Sequence, residues 1–345
     1  MKRTIILFAL LLATLSTSGL MAQEQTASEA FPMITIPESI TTPIERASYL
    51  CEHYWEKADF NTLTDAQLED GLTNMISLFS LITVEHVEKS WEAAVKRAES
   101  SKTGVARLLA VADKHLYSVS SPLYNELAYS TLLRKALVSK KIKKDAKAPY
   151  QAQLVMLEMN KPGTPAVDLD LTLIDGTKAK LSDINSAATI LYFYTPGDMN
   201  CRMERFRLSQ ARLISYLEKA GGLKIVAISP SADKELWDKY KNEISASWVN
   251  AYDATGAIMK DNLYDLRILP RIYLLDDKKN VLLKNATADQ VEQYLSSIMQ
   301  SVAAKQAGEA AKTEGKAELV CLFLQRKMEC PVGHSLFIYI IGSRL

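Results

Sequence analysis

The stretch that most restricts what this chain can fold into runs from Thr189 to Arg205, TILYFYTPGDMNCRMER. Ile190 to Tyr194 is a short apolar run with aromatic and β-branched members, which predicts a buried strand. Pro196 and Gly197 then break it. Met199, Met203, Phe206, Leu208, Ala211, Leu213, Ile214 and Leu217 follow at mostly three- and four-residue steps, which predicts a helix. A strand feeding a tight turn and then a helix leaves unpaired backbone amides, and the positive end of the helix dipole, at the turn. Cys201 stands in the first turn of that helix, where such groups stabilise a thiolate.

A strand, a proline, a short turn and a cysteine at a helix start resemble the active-site segment of the thioredoxin superfamily. Within it, the segment is most similar to the periplasmic thiol-disulfide reductases related to cytochrome maturation and to thiol peroxidases. Those reductases carry Cys-x-x-Cys at the turn, whereas this chain reads Asp198-Met199-Asn200-Cys201. The resemblance therefore places Asp198 at the nucleophile's position and Cys201 at the resolving one. Disulfide exchange needs a nucleophilic thiolate and a second thiol to resolve the mixed disulfide. An aspartate is no useful nucleophile toward sulfur, and its charge raises the pKa of a nearby thiol, while the helix dipole acts the other way. Two-cysteine reductase activity is not expected.

Leu269-Pro270, just before a strand at Ile272, resembles the second mark of the superfamily. There the proline is cis and faces the cysteine turn, leaving a strand edge on which an extended peptide can lie. By this resemblance Pro270, Leu269 and Pro196 are the expected substrate-binding residues.

Length and composition frame these features. A chain of 345 residues is long enough for about two domains. With 41 basic against 40 acidic residues, nothing argues electrostatically for nucleic acid. Met1 to Ala22 reads as a secretory signal, with Lys2 and Arg3 ahead of an apolar core that ends in small and polar residues. That core falls short of the roughly 18 residues of a membrane span, so the reading is cleavage and export to the periplasm, with no membrane-spanning segment left. Residues 23–39 form a polar, Pro-interrupted tether.

Residues 40–159 read as an all-α domain. Thr42-Pro43 opens a helix, and Thr64 to Gln67 fits a capping box. Further helical patterns run from Val84 to Ala98, from Val105 to Leu116 and from Ser121-Pro122 to Leu137. Cys51 and His53 lie two apart on a helix and point in different directions, so CEHYWEKADF reads as core packing by Tyr54 and Trp55 rather than as a metal cluster. His86 and His115 are isolated. The basic run KKIKKDAK, from Lys140 to Lys147, reads as a solvated helix end or linker. CEHYWEKADF and the later SPLYNELAY resemble a helical domain of unknown function that precedes thioredoxin-like domains in exported bacterial proteins.

A breaker cluster from Lys161 to Pro165 opens the second domain, residues 160–303. VDLDLTLIDGTKAKLSDI carries an Asp175-Gly176 hairpin signal, and resembles the hairpin that the periplasmic subgroup adds ahead of its core. Strands are expected at Leu223 to Ser229, Trp248 to Tyr252, around Ile272 and at Val281 to Lys284. Helices are expected at Ala232 to Lys241, Thr255 to Leu263 and Thr287 to Ala303. This is a mixed sheet with helices on both faces, so the fold class is α followed by α/β. Residues 304–345 read as a poorly ordered tail. In it Cys321 and Cys330 are close enough in sequence for a local disulfide, with two free thiols the equal alternative, and Cys330 with His334 is at most half a metal site.

Neither a metal nor an organic cofactor is implied. The expectation is a thioredoxin-fold module that binds a peptide or protein partner without dithiol chemistry. The alternative is a single-cysteine oxidoreductase acting through Cys201.

Overall fold

The computed structural model describes residues 31–312. The expected signal peptide, and Cys321, Cys330 and His334 of the tail, lie outside the described residues.

Local capping signals start the first helices. The Thr42 hydroxyl accepts the amide of Glu45, and Pro43 occupies the first position of α1 (Pro43–His53), where a missing N–H costs nothing. α2 (Asp65–Ser77) opens on the Thr64–Gln67 capping box, with both reciprocal bonds made, at 3.2 and 3.0 Å. α3 (Val84–Ala98), α4 (Gly104–Ala112), α5 (Glu126–Ala136) and α6 (Lys144–Glu158) complete a helical unit around one apolar core. Cys51, Tyr54 and Trp55 sit inside that core, and burial, then the Glu52 charge, pushes the Cys51 thiol up to about 12. His53 turns away to pair with Glu56.

Two helix boundaries differ from the periodic pattern. α4 ends in a π turn over Asp113–Tyr117, where the Ser118 amide bonds Asp113 O. The Asp113 carboxylate is held there by Tyr129 Oη at 3.0 Å and Gln153 Nε2 at 2.7 Å. α5 does not begin at Ser121-Pro122 but at Glu126, because Asn125 is extended and its side chain caps the Ala128 amide.

The second unit is a sheet of seven strands, in the order β2-β1-β5-β4-β3-β6-β7 among the described residues. They are β1 (Asp170–Leu173), β2 (Lys178–Lys180), β3 (Ala188–Phe193), β4 (Leu223–Ser229), β5 (Val249–Tyr252), β6 (Arg271–Leu275) and β7 (Val281–Ala286). β3, β4 and β5 pair in parallel, while the β3–β6, β6–β7, β1–β5 and β1–β2 pairings are antiparallel. β3 is buried along its whole length, and its side chains alternate between two cores. Ile190, Tyr192 and, just beyond the strand, Tyr194 face α7 (Met199–Gln210), α8 (Arg212–Lys219) and α11 (Ala288–Lys312). Leu191 and Phe193 face the hairpin and the loop around Tyr264. α9 (Lys234–Tyr240) and the single-turn α10 (Ala257–Lys260) lie in the connections. α10 is much shorter than the expected Thr255–Leu263 helix, because Asp253 draws the amides of Thr255, Gly256 and Ile258 into a turn. Among the described residues no helix is long and apolar enough to cross a membrane.

The helix after β3 departs from its pattern in two ways. It breaks at Ala211, where ψ is 115°, and the Leu213 amide is satisfied instead by Glu292 of α11 at 2.8 Å. Reciprocally, Glu204 of α7 accepts the first amide of α11, from Ala288, at 2.6 Å. The helix is also turned: Met199, Met203 and Phe206 are 64%, 51% and 60% exposed, and Cys201, Glu204 and Leu208 face inward. Both sets recur at helical spacing, so periodicity alone does not choose between them.

The two units are joined by a polar clasp. Lys284 on β7, with a side chain only 5% exposed, donates to Leu157 O at 3.0 Å and Met156 O at 3.3 Å, and pairs with Glu126 at 3.1 Å. The carbonyls belong to the last turn of α6, where the helix dipole favours a cation. Asn285 and Tyr124 donate to the same Glu126 carboxylate. Lys284→Met leaves Glu126 and those carbonyls without their cation. It is expected to lower stability by about 3 kcal/mol, the usual result of halving an enclosed ion pair. Urea denaturation of the full chain measures this, and an unchanged midpoint would remove the clasp as a stabilising element.

Candidate functional site

The site is built where β3 ends. The Tyr194 amide still bonds Ile228 O of β4 at 3.0 Å, so the chain stays in the sheet until Thr195. Pro196, buried, and Gly197 then form the turn. Gly197 has φ +79°, and a Cβ there would stand 2.8 Å from the Tyr240 ring, so the position admits only glycine without displacing that ring.

Asp198 is the N-cap of α7. Its Oδ1 accepts the Cys201 amide, three residues on in the first helical turn, at 2.8 Å, the bond that an Asp at the N-cap favours. That bond, outweighing partial desolvation, holds the Asp198 carboxyl below its ordinary range. Asp198 thus has a structural task in the turn.

Cys201 does not emerge at the helix start. It is 2% exposed, packed with Tyr192 and Tyr194, and its carbonyl accepts the Tyr192 hydroxyl. The Thr195 amide donates to Sγ at 3.3 Å. Burial pushes the thiol up to about 12, opposed by the Thr195 amide and the Arg205 charge and reinforced by Asp198. The helix start does not acidify this thiol. The described cysteines, Cys51 and Cys201, are free thiols in separate cores, so neither resolves the other.

Leu269-Pro270 closes the site from the other side. Its peptide bond is cis. Phe193 pairs with Arg271, the first residue of β6, so Leu269-Pro270 precedes β6 at the end of the sheet where β3 gives way to the turn. Asp198 and Thr195 both bond Cys201, and Leu269 packs against the core that holds it, whereas Pro196 is buried in the turn. Ile268 is 48% exposed, and neither it nor Leu269 makes a hydrogen bond within the described residues.

Some contributors have no local signal. Glu243, from the segment after α9, grips Arg202 of α7 and accepts Arg205 Nη2 at 3.2 Å. Desolvation raises the Glu243 carboxyl, and the two arginines more than reverse that. Nothing near residue 202 in the chain announces a partner about forty residues away. Among the described residues no group of three or more His, Cys, Asp or Glu side chains is placed to hold a metal.

The family model described as "Domain of unknown function (DUF5106)" matches residues 14–160. No curated protein matches the chain. The chain is similar to a thioredoxin-like protein from Bacteroides caccae, at 30% identity and a TM-score of 0.73, covering 77% of this chain and 98% of that one. It is 38% identical to the C-terminal domain of an uncharacterized protein from Bacteroides fragilis, over 40% of this chain and 98% of that one, with a TM-score of 0.39. It is 20% identical to the thioredoxin domain of a thiol-disulfide oxidoreductase from Bacteroides vulgatus, over 40% of this chain and 96% of that one, with a TM-score of 0.36. The Bacteroides caccae relative is matched over nearly its full length, across a larger share of this chain than either unit occupies, and on that ground the chain belongs to the thioredoxin-like family.

Proposed function

We propose that this chain is an exported protein of two domains, helical over residues 40–159 and thioredoxin-like over 160–303. Its groove binds an extended segment of a partner protein without dithiol exchange. One contrast carries the reading: the single sulfur of the turn is sealed, while the surface around it is apolar and open. Met199, Met203 and Phe206 line the outer face of α7, and the Ile268-Leu269 backbone beside the turn keeps unused donors and acceptors for a strand. Leu269 and Pro270 are the residues on which that strand lies, and Asp198 holds the turn in shape. The reading uses neither a metal nor an organic cofactor.

A single-thiol redox centre at Cys201 is the second reading. The Thr195 amide on Sγ and the Arg205 charge favour it, since both stabilise a thiolate. Burial and Asp198 outweigh them.

Two measurements test the pair of readings. With Cys51, Cys321 and Cys330 replaced by serine, alkylation of Cys201 at pH 8 is expected to be about 10^3-fold slower than that of a free cysteine of pKa about 8.5. It should accelerate only where denaturant opens the fold; fast labelling of the native chain, titrating below pH 8, would instead establish the redox reading. For the groove, a library of random 12-residue peptides is displayed against the full chain and the tightest binder titrated. Met203→Asp and Phe206→Asp are each expected to weaken that peptide tenfold or more, as loss of an apolar anchor at an interface does. A library that yields no peptide sensitive to either substitution overturns the groove.

A further inference from the structure

The loop that presents Leu269-Pro270 is gripped by the helical unit through one side chain. Upstream, the loop is pinned to the sheet unit and the linker: Asn160 Nδ2 donates to Leu263 O at 2.8 Å, and Tyr264 Oη to Val167 O at 2.6 Å. Asp265 is 2% exposed and takes Arg267 in a forked pair, Nε at 2.8 Å and Nη2 at 2.7 Å. Burial raises the Asp265 carboxyl, but the bonds and charge of Arg267, with the charge of Arg271, hold it below its usual range. The remaining side of the guanidinium faces the helical unit. Arg267 Nη1 donates to Tyr117 O at 2.8 Å, and Cζ lies 3.7 Å from the centroid of the Tyr117 ring. Beyond Arg267, Ile268 and Leu269 have no hydrogen bond among the described residues until β6 begins.

Tyr117 is itself held firmly. It ends the π turn, packs its ring 5.3 Å from that of Tyr129, and inherits its position from Asp113, which is fixed by Tyr129 of α5 and Gln153 of α6. A π turn is an unusual way to end a helix. Here it delivers both the carbonyl and the ring of one residue to one guanidinium. The Glu126–Lys284 clasp is a second polar join between the same units, made by other side chains, so the Tyr117 contact is not needed merely to keep them together.

We propose that the helical unit is a positioning element for the groove: Tyr117, acting through Arg267, sets where the Leu269-Pro270 edge stands and so how tightly a partner strand binds there. Arg267 and Tyr117 are positioning residues that touch no partner. The affinity half of this inference rests on the partner-binding reading; the loop half does not.

Native-state proteolysis and binding test it on the full chain. The Arg267–Ile268 bond is a tryptic site that the clamp withholds, because the protease must take the arginine side chain. Tyr117→Ala is expected to speed cleavage there at least tenfold relative to cleavage after Lys102, an exposed residue in the α3–α4 turn. Tyr117→Ala removes the ring but not the backbone carbonyl, whereas Tyr117→Phe keeps both and should cleave as the parent does. Arg267→Lys keeps the charge and the tryptic site but not the planar fork, and should behave as Tyr117→Ala. The peptide selected against the groove should bind both loosened variants at least fivefold more weakly, and Tyr117→Phe normally. Unchanged cleavage overturns the clamp, as does equal acceleration at Lys102, which would mean general unfolding. Faster cleavage with unchanged affinity overturns the coupling. Should no peptide bind the parent chain, the partner-binding reading itself fails, and the cleavage ratios alone decide whether the clamp exists.

Discussion

β3 is enclosed on every side: paired with β4 and β6 along its edges and packed under a core on each face. A strand so enclosed cannot slip by one residue, since a slip would exchange Tyr192 and Phe193 between the two cores. Its end point is therefore fixed, and with it the place where the chain must leave the sheet. Pro196, the left-handed Gly197 and the Asp198 cap turn it out within three residues, so the start of α7 and the Leu269-Pro270 edge inherit their positions from the register of β3.

The fate of Cys201 follows from magnitudes. A helix N-terminus favours an anion by about 0.3–1 kcal/mol at ordinary exposure. Moving a thiol from 9.0 to about 12 corresponds to roughly 4 kcal/mol against the thiolate. Desolvation beneath the tyrosines, helped by Asp198, wins by a wide margin.

The same economy of contacts runs through the helices. Glu204 and Glu292 each take one amide at a neighbouring helix start across the α7–α11 contact, so the break of α7 at Ala211 leaves the Leu213 amide with a partner. Between the units, the one enclosed lysine finds three acceptors and the one stacked arginine finds a carboxylate, a carbonyl and a ring. Polar contacts of this kind require particular geometry to be favourable, and they tie the helical unit to a definite place against the sheet unit.

Features governed by neighbours in the chain were legible in the sequence. The run Ile190 to Tyr194, the Pro-Gly break, the Thr64–Gln67 box, the Asp175-Gly176 hairpin and the β4 span Leu223–Ser229 all depend on local propensity and period. The Leu269-Pro270 pair, whose peptide bond is cis, was legible too, because it is a matter of residue identity. What the tertiary structure alone decided is non-local. Two interleaved apolar sets on α7 fit the same period, and only packing against β3 and α11 chose Cys201 and Leu208 for the inside, leaving Met199, Met203 and Phe206 in solvent. The pairing of Arg267 with Tyr117 spans 150 residues, and the reach of Glu243 to Arg202 spans 41. Such contacts depend on where whole elements come to rest, and no short window of sequence contains that information.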